Sequence, residues 1–147
     1  YRCLYGYWFG KPYWRLRTGV WFSNYGIPNK ELNFPYIAQS PVTGKKTEYR
    51  EKSDVLNEIE ILLKQTEGKK YSIGQSLYYQ LPFFCDPSKF ISDWVLEMIT
   101  DYFAVKKFNV PLSNSLENIN PWVLDCFSII ENEINNIAIH EREKNGG

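Results

Sequence analysis

Alanine is nearly missing from this 147-residue chain, which has it only at positions 38, 104 and 138. Methionine and histidine each occur once, as Met98 and His140. A Ser/His or Cys/His mechanism needs a motif-marked nucleophile beside an oriented base. One histidine in a charged segment near the C-terminus, with no such nucleophile, gives that chemistry little support. The three cysteines, Cys3, Cys85 and Cys126, form no C-x-x-C pair and cannot all pair with one another. They are expected to be reduced, with Cys85 and Cys126 in the core, which favours cytoplasm or virion over a secreted setting. Twelve asparagines without one N-x-[ST] acceptor agree with that choice. No apolar run approaches the ~20 residues of a membrane span, and no signal or transit segment is recognisable. Tyr1 is not an initiator, so a processed or longer precursor is expected. Scarce Ala beside plentiful Asn, Ile, Lys, Tyr and Phe reads as AT-rich codon usage, as in many phages, organelles and low-GC bacteria.

Aromatic residues, by contrast, make up 17 % of the chain, and half of them fall before residue 53. The formal charge of zero hides an asymmetry. Residues 1–52 carry nine Lys/Arg against three acids, and residues 53–147 carry eight against fourteen. The first half is therefore near +6 and the second near −6, which points the first half towards an acidic surface or a polyanion. Rings interleaved with cations can stack on bases beside phosphates or anchor a protein interface.

Residues 4–50 read as β structure. Gly10-Lys11-Pro12 separates Tyr7-Trp8-Phe9 from Tyr13–Arg17, two runs of strand formers, and predicts a hairpin. Trp14 and Leu16 share one face of the second run, with Tyr13, Arg15 and Arg17 on the other. Val20-Trp21-Phe22 continues it after Gly19, a bulge or bend. A loop spans 24–33, and strands at 34–39 and 46–50 flank the turn Ser40–Lys45. After Ser53 the period changes. Val55, Leu56, Ile59, Leu62 and Leu63 fall at helical spacing, and residues 72–81 predict a short helix stopped before Pro82. Asp86-Pro87 and Asn120-Pro121 each pair a side-chain cap with proline at the first helical position. The first predicts a helix to about residue 106 burying Trp94, Met98 and Tyr102. The second predicts a helix whose apolar stripe is Trp122, Cys126, Ile129, Ile130, Ile134 and Ile137, dissolving into a charged tail at Glu141.

Ser40–Thr47 looks like a phosphate loop but has Gln39 and Lys46 where that loop needs glycine and a hydroxyl. A strand-to-strand turn is the better reading. The pieces Tyr36, Pro41, Gly44-Lys45-Lys46, Arg50 and the helix from Ser53 resemble the hairpin-then-helix pattern of small DNA-binding sheets. Phage integrase arm-binding domains and methyl-CpG-binding domains are examples. The resemblance is confined to residues 36–55 and implies Lys45, Lys46, Arg50 and Lys52 as nucleic-acid contacts, with Glu48 and Glu51 interrupting the basic run. Asp93, Glu97 and Asp101 form a carboxylate stripe that reads as a solvated helix face. No cofactor and no tightly bound metal are expected.

The fold expected is α+β: an N-terminal antiparallel sheet of three to five strands, then three or four helices packed on it. Residues 1–70 would form the aromatic, basic β-rich region, ending in a helix. Residues 71–147 would form the helical region, both in one compact unit. The function expected is a non-enzymatic structural or assembly protein of a larger complex, a phage or other virion component. It would self-assemble or dock on an acidic protein partner through Trp8, Tyr13, Trp14, Arg15, Arg17 and Trp21. The alternative is nucleic-acid binding by the basic hairpin. No membrane partner is expected.

Overall fold

The residues after Tyr13, expected to be strand, form the first helix. The computed structural model describes residues 13–66, 69, 71–111, 115 and 118–146. In chain order these comprise α1 (Trp14–Tyr25), β1 (Tyr36–Gln39), β2 (Lys46–Tyr49), α2 (Lys52–Gln65), α3 (Ile73–Phe84), α4 (Asp93–Phe108) and α5 (Pro121–Gly146). The class is mixed α and β, with fewer strands and more helices than expected. The expected hairpin strand 7–9 lies outside the described residues.

α1 is helical because it is buried on almost every side. Trp14, Leu16, Thr18, Gly19, Val20, Trp21 and Phe22 are all buried, and it packs on α3, α4 and α5. A helix sheathed all round needs no polar stripe, so its sequence lacks the usual signature. Its apolar β-branched and aromatic residues also favour strands, and tertiary packing overrides that preference. Gly19 marks no bulge. A Cβ there would stand 2.5 Å from Val95 Cγ1, so glycine is what lets α1 approach α4. At the other end Gly26, at φ 100°, stops the helix.

β1 and β2 pair antiparallel in the expected place, Tyr36 opposite Tyr49 and Gln39 opposite Lys46. The turn between them is closed by its own atoms. Ser40 Oγ accepts from the amides of Val42 and Thr43, and the Gly44 amide donates to the Ser40 carbonyl. Those amides are thus spoken for, as a turn requires and a phosphate cradle forbids. Ser40 and Tyr49 both donate to Glu58, tying the hairpin to α2.

α2 buries Val55, Ile59, Leu62 and Leu63, as expected. It begins one residue before Ser53, where the Asp54 carboxylate accepts from the amides of Arg50 and Glu51. Ser72 caps α3 by accepting from the Gln75 amide at 3.1 Å. α3 then runs through Pro82 to Phe84, a turn further than expected. A proline near a helix end removes only one late hydrogen bond, and the Cys85 amide still reaches the Leu81 carbonyl at 3.0 Å.

Asp86-Pro87 does start helical structure, but only one 3-10 turn, Pro87–Lys89. Phe90 and Ile91 are then buried, and α4 begins at Asp93. Met98 and Tyr102 are buried as expected, whereas Trp94 is half-buried, its ring 5.6 Å from that of Trp122. Asn120 caps α5, accepting from the Trp122 amide. α5 continues through the charged tail to Gly146, with Cys126, Ile130 and Ile137 buried. One apolar cluster runs from Tyr13 to Ile137.

Candidate functional site

Two features stand out where α1, α3 and α5 meet: a buried polar seam and, beside it, an open aromatic groove. The seam centres on Glu133, whose side chain is fully buried. Its carboxylate accepts from Trp21 Nε1 at 2.7 Å, from Ser72 Oγ at 3.2 Å and from Asn136 Nδ2 at 3.3 Å. Arg17 Nη1 stands 3.7 Å away. Donors from three helices thus converge on one carboxylate, which a buried charge requires. Gly74 admits this packing, since a Cβ there would lie 2.7 Å from Glu133 Oε2 and from the Arg17 carbonyl. The chain of contacts continues outward. Trp21 packs 5.5 Å from His140, and His140 meets Gln75 through Nδ1 and the Tyr79 hydroxyl through Nε2 at 2.8 Å.

The groove lies between the C-terminal end of α1 and α3, with a volume of about 610 Å³. Phe22 and Tyr78 line it from inside and Tyr25, Tyr79 and Phe83 from its lip, with Ile27, Pro28 and Pro82 between. Phe83 is 77 % exposed, the highest value among the large apolar side chains described. The rings brace one another, with Tyr78 at 5.1 Å from Phe22, 5.3 Å from Tyr25 and 5.7 Å from Trp21. Tyr25 donates to Glu141, and desolvation together with that bond raises its phenol well above the ordinary value. Rings with apolar faces and tethered hydroxyls suit an interface that is dry in the middle and polar at the edge.

The described members of the expected docking set do not line this groove. Trp8 lies outside the described residues. Tyr13, Trp14 and Trp21 are 4 %, 3 % and 0 % exposed, in the core where a partner does not reach. Alternation along a strand would have left some of these rings outside, but a helix surrounded by helices hides them all. Arg15 is half-buried with its guanidinium 4.6 Å from the Trp14 ring centroid, and Arg17 turns to Glu133. The basic hairpin set is also scattered. Lys45 and Lys46 are exposed at the turn, Arg50 is tied to Glu48 at 2.6 Å, and Lys52 sits 5.3 Å over the Phe90 ring. Cys85 and Cys126 are buried as expected, burial pushing each thiol up to about 12.

Among the described residues no group of three or more His, Cys, Asp or Glu side chains is placed to hold a metal ion, and no helix is long and apolar enough to cross a membrane. Comparison with family models, with curated proteins and with solved structures finds no match to this chain.

Proposed function

We propose that this protein is a non-enzymatic binding module of a larger assembly, and that it docks a protein partner in the groove between α1 and α3. The exposed Phe83 beside Tyr25 and Tyr79 carries this reading. A contiguous aromatic patch left open by an otherwise well-packed core is typical of a partner site. The groove lining contains no Lys or Arg, so the preference for an acidic partner does not carry over to it. The anchors are instead apolar, and the partner segment would supply apolar side chains. Selection of peptides from a displayed library tests this. Binders should lose about 2 kcal/mol or more with Phe83→Ser or Tyr25→Ala and be indifferent to substitution of Lys45 and Lys46. A library that yields no binder sensitive to Phe83→Ser refutes it.

The second reading, nucleic-acid binding, has in its favour that Lys45 and Lys46 are exposed without an ion pair among the described residues. Its signature is affinity that falls with salt at a log–log slope of about −0.9 per phosphate neutralised and flattens when both lysines are replaced.

A further inference from the structure

At the other end of α1 from the groove, a pocket of about 180 Å³ opens between the start of α1 and one face of α2. Trp14, Leu56, Ile59 and Leu63 make its apolar wall, and Arg15 and Glu60 bring opposite charges to it. Beyond the Trp14 ring, 4.6 Å from the Arg15 guanidinium, neither charge has an ion pair or hydrogen bond among the described residues, and their charged atoms stand farther apart than the 4.0 Å of a salt bridge. Both side chains are half-buried, and desolvation holds the Arg15 guanidinium below its ordinary value. Partly sheltered charges normally find partners, because shelter weakens their hydration. Two residues of opposite charge that line one pocket without meeting leave room for a ligand that satisfies both.

We propose that this pocket binds a small zwitterion, an α-amino acid with a branched apolar side chain. Its carboxylate meets Arg15, its ammonium meets Glu60, and its side chain lies on Leu56, Ile59 and Leu63. The guanidinium fork matches a carboxylate in two places at once. An anion alone would meet Glu60 as a repulsive neighbour, and a cation alone would meet Arg15 the same way.

The test is a titration of the ¹⁵N-labelled full chain at constant ionic strength, following the Trp14 Nε1–H and Arg15 Nε–H signals. Three probes separate the contributions: L-leucine, 4-methylpentanoate (leucine without its ammonium) and 3-methylbutylamine (leucine without its carboxylate). Leucine should shift both signals saturably and the other two should not. Arg15→Gln and Glu60→Gln should each weaken leucine at least about tenfold, the loss expected for one charge-assisted hydrogen bond. Glu60→Gln, at a half-exposed position, keeps the test decisive if Arg15→Gln does not fold. A response linear in leucine overturns the proposal. So does equal binding of 4-methylpentanoate, or leucine affinity untouched by Glu60→Gln. Peptide docking in the α1–α3 groove reads different residues, so either proposal can fail without the other.

Discussion

Replacing Glu133 should be among the most damaging single changes in the chain. In Glu133→Ala the Trp21 indole N–H loses its acceptor in the core, at about 1–3 kcal/mol for an unsatisfied buried donor. One lost methylene adds about 0.8 kcal/mol, before the penalty for the space that it and the carboxylate leave. Arg17 contributes less, because its side chain is 25 % exposed and its contact is long, at 3.7 Å. The total is about 3–5 kcal/mol, the range for breaking a buried charged network from one side. Glu133→Gln keeps an oxygen for Trp21 but turns an amide towards Arg17 and Asn136, and should cost about 1–2 kcal/mol. Urea unfolding is the assay. With a slope of about 1–3 kcal/mol per molar, the alanine variant should lower the midpoint by more than about 1 M. A double-mutant cycle with Trp21→Phe, which keeps an aromatic ring but removes the N–H, should give a coupling of about 1.5–3 kcal/mol. A loss below about 1 kcal/mol with no coupling would show that the carboxylate is not the acceptor that holds the three helices together.

Gly74→Ala should destabilise by about 1–3 kcal/mol or more, because its Cβ meets a fixed carbonyl as well as Glu133. Thermal unfolding checks it, and a neutral effect would contradict the close packing of α1 on α3. Trp94→Ala should cost about 1–3 kcal/mol, less than a fully buried tryptophan, with a coupling to Trp122 of about 0.5–1.5 kcal/mol in a cycle. For the two buried thiols the sign is set by the folded state holding its protons more tightly. Their contribution is complete below about pH 9 and is lost as pH rises towards 12, at about 1.4 kcal/mol per pH unit for each. A Cys85→Ala/Cys126→Ala variant should therefore show a shallower alkaline fall in urea midpoint. Identical slopes would contradict the burial of the thiols.

The amphipathic parts of the chain were legible before any coordinates. Val55, Ile59, Leu62 and Leu63 repeat at 3.6, and Asn120-Pro121 announces a helix start, so α2 and the start of α5 are where the pattern puts them. The turn Ser40–Lys45 was legible from its Pro and Gly. α1 was not, and its composition explains why. Trp14, Leu16 and Thr18 alternate as in a strand, while Val20-Trp21-Phe22 runs on as in either a buried strand or a buried helix. Only α3, α4 and α5 around it decide for helix. Reading α1 as a strand also made docking anchors of Trp14 and Trp21, because half of a strand's faces are free, whereas in the helix both rings are buried. The residues that form the groove, Tyr78, Tyr79 and Phe83, did leave a trace in the aromatic run from Tyr78 to Phe84. A helix with rings on more than one face must either be covered or offer one of them.

Seam and groove are mechanically one structure, and this yields a prediction about binding rather than stability. Trp21 is fixed at one edge by Glu133, and its ring supports Tyr78 at 5.7 Å and Tyr25 at 6.2 Å. Tyr25 is held from the other side by Glu141, on the same helix as Glu133. The groove therefore has a preset shape, and a preset shape spares a ligand the ordering of side chains, at about 0.5–1.5 kcal/mol for each one immobilised. Trp21→Phe removes the tether to Glu133 without touching the groove surface. It should weaken a groove-binding peptide by about three- to tenfold, the equivalent of freeing one side chain. The loss should appear mainly as faster dissociation. Calorimetry and stopped-flow on the folded variant would measure both. Unchanged peptide affinity in a variant that has lost its coupling to Glu133 would mean that the seam serves only the fold, and that the groove keeps its shape without it.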